Sequence, residues 1–150
     1  MVKINIIVDG SNVAFFKRNK RKEAKLQNLE ILISFLEKLS TKFPINHEII
    51  TDASLRYRID KKSELEKLYN TGKLLQCPSK IQADEFLLEF FKLHPEDTII
   101  ISNDNFSEFE NVNPIVCKFM IIMKEIIILP NLTAFFNDVD KPQMEGKAIA

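Results

Sequence analysis

Glycine is scarce in this chain, with three residues in 150. That scarcity excludes the glycine-rich loops that cradle nucleotide phosphates, and neither G-x-x-x-x-G-K-[ST] nor G-x-G-x-x-G occurs. Tryptophan is absent, and cysteine and histidine number two each. Cys77 and Cys117 stand apart with no C-x-x-C, so they read as reduced thiols of a cytoplasmic protein. His47 and His94 have no close His or Cys partner, which argues against a zinc site. The 21 basic and 21 acidic side chains cancel, so any affinity for a polyanion must come from local charge separation. No apolar run approaches the length of a membrane span, and the first residues lack the charged n-region and cleavage site expected of a signal peptide.

What is present is a pattern of apolar runs that stop at acids. Ile4 to Val8 is rich in β-branched residues and ends at Asp9-Gly10-Ser11-Asn12. Such continuous runs read as strands buried on both faces of a parallel sheet. In open α/β sheets ligands bind beyond the carboxyl ends of the strands, which is where Asp9 falls. Gly10 is expected to supply a tight turn with positive φ, and Ser11 or Asn12 to cap a following helix. Ile99 to Ile101 ends alike, at Ser102-Asn103-Asp104-Asn105. Two strand ends of the same chemistry suggest one acidic pocket.

Between these runs, Leu26, Leu29, Leu32, Ile33, Leu36 and Leu39 mark an amphipathic helix. His47 to Thr51 reads as a strand ending at Asp52. Asp60 is placed as the cap of a helix holding Leu65, Leu68 and Tyr69, which Gly72 stops. Leu74 to Gln76 is a short strand. Ser79 and Gln82 have capping-box spacing before a helix that buries Ala83, Phe86, Leu87, Phe90 and Phe91. Thr98 to Ser102 is a strand, and 106–109 a short helix. Lys118 to Ile122 and Glu125 to Leu129 form a hairpin through Met123-Lys124. The alternation implies an α/β chain with a mostly parallel sheet, helices on both faces and an antiparallel edge strand. Residues 1–136 are read as one domain and 137–150 as a polar tail.

The acids of interest are Asp9, Asp52, Asp84, Asp104 and Glu108. Crowded carboxylates repel one another, and a hard divalent cation resolves the conflict. Mg²⁺ or Mn²⁺ held this way activates water and offsets charge on a phosphodiester without any His or Cys. Each acid also has a plainer role open to it: Asp52 in a turn, Asp84 near a helix N-terminus, Asp104 as an N-cap, Glu108 on the surface.

Val8-Asp9-Gly10-Ser11-Asn12-Val13-Ala14, Ala83-Asp84-Glu85-Phe86 and Ser102-Asn103-Asp104-Asn105-Phe106-Ser107-Glu108-Phe109 together resemble the NYN branch of PIN-like ribonucleases, which includes the regnase RNases. The resemblance spans about residues 2 to 130. It implies a three-layer α/β/α PIN-like fold and Mg²⁺- or Mn²⁺-dependent cleavage of RNA. It further implies that Asp9, Asp84, Asp104 and Glu108 bind metal, with Asn12 beside the first acid. The chain departs from the family in having Ala83 where a second Asp is common, and Glu108 where Asp is commoner. Asp52 is a candidate to compensate for the first departure.

Lys17 to Lys25, with Lys20, Arg21 and Lys22 at its centre, follows the first acidic motif. Arg56, Tyr57 and Arg58 follow the second strand end. Both groups are expected on the acidic side of the sheet, where they would carry a phosphate chain and stack an unpaired base. The expectation is an endoribonuclease acting on single-stranded or unpaired RNA, with no membrane partner and a homodimer left open. The alternatives are a catalytically weak RNA-binding module of the same fold, and a receiver-like signalling domain with Asp52 as phosphoacceptor.

Overall fold

The structure is a computed structural model and describes residues 3–104 and 114–136. Six strands form one sheet in the order β3-β2-β1-β4-β5-β6. The first, β1 (Ile4–Asp9), lies between β2 (Ile45–Thr51) and β4 (Thr98–Ile101), parallel to both. On one side β3 (Leu75–Gln76) continues the parallel order. On the other, β5 (Ile115–Ile122) does so, and β6 (Glu125–Leu129) returns antiparallel. The hairpin turns at Met123 and Lys124, both with positive φ (51° and 64°), as a two-residue link of this type requires.

The alternation of strand side chains divides the core. Ile4, Ile6 and Val8 of β1 meet Leu29, Leu32 and Leu36 of α2 (Leu26–Lys42) and Leu65 of α3 (Lys62–Asn70). On the opposite face Ile7, Ile50 and Ile100 meet Ala83, Leu87 and Phe91 of α4 (Ala83–Leu93). The result is the expected three-layer α/β/α arrangement with a mostly parallel sheet. Asp9 shares parity with Ile7 and so belongs to the α4 side of the sheet.

Several local expectations change in their particulars. The second strand begins at Ile45 and β5 at Ile115, because parallel pairing with Ile4 of β1 and Ile99 of β4 extends each toward its N-terminus. Gly10 lacks positive φ; instead it opens α1 (Gly10–Ala14), pressed against β2. A Cβ there would lie 2.7 Å from Ile49 Cγ2 and 2.8 Å from Thr51 Cγ2. Glycine is needed for this close approach. Gly72 does take positive φ (75°), just past the end of α3, as the helix-stop reading required. Asp60 does not cap α3. Its Oδ1 accepts from Leu26 N–H at 3.0 Å and so caps α2 from a distant segment. The Ser79–Gln82 box is likewise not formed, since Gln82 makes no side-chain cap. Phe86 is exposed rather than buried, and Leu88 takes the inward position. The expected helix at 106–109 lies outside the described residues. Among the described residues no helix is long and apolar enough to cross a membrane.

Candidate active site

The strand order reverses direction between β1 and β4, and open α/β sheets form their binding crevice at such a switch point. Asp9 ends β1 on one side of it, and Ser102-Asn103-Asp104 continue from β4 on the other. Asp9 is 5% exposed. Its Oδ1 accepts from Asn12 N–H at 3.0 Å, so the acid itself, rather than Ser11 or Asn12, caps α1. The Asn12 side chain reaches across the crevice, where Oδ1 accepts from Asn103 N–H at 2.7 Å. Asn103 Oδ1 in turn accepts from Phe119 N–H at 2.9 Å. This chain of bonds ties the end of β1 and the segment after β4 to the middle of β5.

On the other flank of β1, the backbone N–H of Asp52 donates to Ser11 Oγ at 2.8 Å. Asp52 Oδ1 accepts from Ala83 N–H at 2.7 Å, so the β2 acid supplies the cap that Ser79 was expected to give. That bond brings the first turn of α4, and Asp84 with it, to the same edge of the sheet. Asp84 is half-buried, and its Oδ1 accepts from Glu85 N–H at 2.8 Å. Asp104 is exposed, with its backbone N–H donating to Ser102 Oγ at 3.1 Å.

These positions create one electrostatic unit. Burial pushes the Asp9 carboxyl up to about 7, and the negative charges of Asp52, Asp104 and Asp84 push in the same direction. The bond from Asn12 opposes them without prevailing. Asp9, Asp52 and Asp84 make no ion pair with a basic side chain among the described residues. Glu108 lies outside the described residues. Among the described residues no three His, Cys, Asp or Glu side chains form a ready ligand set for a metal.

The basic residues divide into two groups. Lys20, Arg21 and Lys22 are exposed in a loop whose backbone folds around Asn19, with Arg21 N–H donating to Asn19 Oδ1 at 2.9 Å. Tyr57 is 76% exposed, with the Lys62 ammonium 5.2 Å from its ring centre. Arg58 is exposed and lies over the Phe15 ring. Arg56 differs. It pairs with Glu66 at 3.3 Å, hydrogen-bonds Gln76 Oε1 and lies over the Tyr69 ring, so its guanidinium joins α3 to β3.

Sequence reading passed over two residues. Lys118 donates through Nζ to the carbonyls of Asn103 (3.1 Å) and Asp104 (2.8 Å) from its place on β5. A lone charge in the strand Ile-Val-Cys-Lys-Phe-Met-Ile-Ile was its signal. Asn28 is 3% exposed and donates to the carbonyls of Val13, Ala14 and Phe16, holding the turn after α1. It lies four residues before Leu32, on the apolar stripe, and a polar residue there marks a buried hydrogen-bonding duty.

Residues 2–147 match the model of the Zc3h12a-like ribonuclease NYN domain. The chain belongs to that family. Membership gives this NYN domain a ribonuclease function with RNA as its substrate, and it accords with the fold. A comparison with curated proteins found no match.

Proposed function

We propose that the domain is a divalent-metal-dependent endoribonuclease acting on single-stranded or unpaired RNA, with Asp9 at the centre of its active site. The observation that carries this reading is the buried Asp9 carboxyl at the switch point, raised to about 7 amid three other carboxylates. A site built so is short of positive charge, and a hard cation with oxygen ligands is the group that fits it. The donor chemistry agrees, since carboxylate oxygens crowd the site and sulfur and imidazole do not. Mg²⁺ and Mn²⁺ commonly take only one or two carboxylates from the protein and leave the other positions to water and substrate phosphate.

In this reading Asp9, Asp84 and Asp104 would hold the ion, and Glu108 would bind a second ion or a metal water. The bound cation would lower the pKa of an attacking water and offset charge on the phosphodiester. The chain's own contribution is placement. Asn12 fixes Asp9 through its backbone N–H and ties β1 to β4 through its side chain. Asp52 anchors the helix that presents Asp84, and it adds negative charge where Ala83 provides none. Lys20, Arg21, Lys22 and Arg58 offer cations to the RNA backbone, and exposed Tyr57 offers a ring for an unpaired base. Arg56 serves as a brace between α3 and β3 rather than as a primary phosphate contact. The two free, buried cysteines suit a reducing, cytoplasmic setting.

The test is cleavage of labelled RNA in Mg²⁺ or Mn²⁺ by wild type and Asp9→Asn, beside binding of the same RNA. Binding without cleavage in either metal would instead favour a non-catalytic RNA-binding module.

A further inference from the structure

We infer that Arg18 and Arg58, held against the ring of Phe15, form a binding site for a backbone phosphate of the RNA other than the one being cut. This rests on the ribonuclease reading and adds a residue-level subsite to it.

The Arg58 guanidinium carbon lies 4.5 Å from the Phe15 ring centre and that of Arg18 lies 5.3 Å from it. One half-buried ring thus gathers two cations from segments 40 residues apart in sequence. Both side chains are exposed, and neither has a carboxylate partner among the described residues. The two distances to one ring centre hold the charges within about 10 Å of each other, comparable to the screening length of about 8 Å at physiological ionic strength. An anion between or beside them relieves their repulsion. A guanidinium stacked on a ring still directs its N–H fork outward, the geometry suited to phosphate oxygens.

The scaffold is fixed before any ligand arrives. Buried Asn28 holds the carbonyls of Val13, Ala14 and Phe16 around Phe15. Ala24 pairs with Ile59 as a parallel bridge, with Ala24 N–H donating to Arg58 O at 2.9 Å and Asp60 N–H to Ala24 O at 3.1 Å. Lys25 N–H donates to Ala14 O at 2.8 Å. The loop that carries Arg18 is therefore stitched to the segment that carries Arg58. The site also stands at a useful place. Phe15 follows α1, whose first residue follows Asp9, so it lies about 9 Å from Asp9 along the helix axis. One continuous segment thus carries both Asp9 and the ring that gathers the arginines.

The test measures binding of a labelled single-stranded RNA, without divalent ions and over a range of salt, for wild type, Arg18→Ala, Arg58→Ala, the double variant and the double Lys variant. The expected result is a loss of affinity of about tenfold in the double Ala variant. Its salt slope should be shallower by about 0.7, the value for one released phosphate contact on a single strand. The thermal midpoint should stay at the wild-type value. The Lys variant should restore the slope and only part of the affinity, because it keeps charge and loses the planar fork. Unchanged affinity and slope in the double Ala variant, or no RNA binding by wild type, overturns the proposal. Weakened binding by the variants with no cleavage by wild type would retain the subsite and remove the enzyme reading. Cleavage by wild type with unaltered variant binding would do the reverse.

Discussion

The carboxylate of Asp52 accepts a hydrogen bond from the backbone N–H of Ala83 at 2.7 Å, joining the end of β2 to the first residue of α4. The residue after Ala83 is Asp84, so this bond sets where that carboxylate stands. The acid also adds its charge to the field that raises Asp9. Position 83, where the resemblance leads one to expect a second Asp, thus contributes its backbone, and the negative charge beside it comes from a neighbouring strand.

Separating these roles needs two substitutions. Asp52→Asn keeps an oxygen acceptor for Ala83 and removes the charge. Asp52→Ala removes both and should cost about 1 kcal/mol of stability, as lost helix caps do. If placement of Asp84 is the larger role, Asp52→Ala should lower kcat/KM by on the order of tenfold to a hundredfold, and Asp52→Asn should retain most activity. Equal losses in both variants would assign the effect to charge.

The raised Asp9 carboxyl fixes the sign of one pH dependence. The folded state holds this proton up to about pH 7, whereas the unfolded chain releases it near 3.8. Between those values the folded state binds more protons, so Asp9's contribution to stability declines as pH rises through that window. The full difference is on the order of 4 kcal/mol. Asp9→Asn cannot ionise and still caps α1 through its amide oxygen. Its thermal midpoint should exceed that of wild type at pH 8 and approach it at pH 4. A midpoint below wild type at pH 8 would mean that Asp9 is not under electrostatic strain.

Gly10 allows a prediction about packing alone. Its missing Cβ lets α1 approach β2 closer than any side chain permits. Gly10→Ala should destabilise the domain by about 1–3 kcal/mol, the usual cost of overpacking. Chemical denaturation measures it, and a neutral result would show that β2 yields easily.

A cation at the carboxylates should add native-state stability as its concentration passes its dissociation constant. Millimolar Mg²⁺ or Mn²⁺, with RNA present to complete the coordination, should raise the wild-type midpoint. Asp84→Asn and Asp104→Asn should each lose most of that gain, and the double variant little more, because both act on one ion. Additive losses would place them at separate sites.

Much of this was legible in the sequence because burial on both faces leaves an unmistakable mark. The apolar runs of β1, β2 and β4 located the sheet's centre, and the acids that follow them stand at its carboxyl edge. The positive-φ turn at Met123-Lys124 was legible as a two-residue gap between apolar runs. What sequence could not supply was the partner of each cap. Asp60 lies next to α3 yet caps α2, and Asp52 lies 31 residues before Ala83 yet caps α4. Such bonds depend on which elements the sheet brings together, and nearest-neighbour spacing favours the wrong acceptor. Phe86 was misplaced for a similar reason, since α4 has more apolar positions than its face against the sheet can bury. Arg56 looked like its neighbour Arg58 until folding put Glu66 and Gln76 beside it.

The central claim is that clustered carboxylates around Asp9 hold a divalent ion that cleaves RNA internally. Gel-resolved cleavage of an end-labelled single-stranded RNA tests it most directly, using wild type and Asp9→Asn with Mg²⁺, with Mn²⁺ and with a chelator. The account predicts internal cuts by wild type in the presence of metal, none with chelator, and none by Asp9→Asn although it stays folded and binds RNA. Undiminished cleavage by Asp9→Asn, or cleavage that persists in chelator, would contradict it.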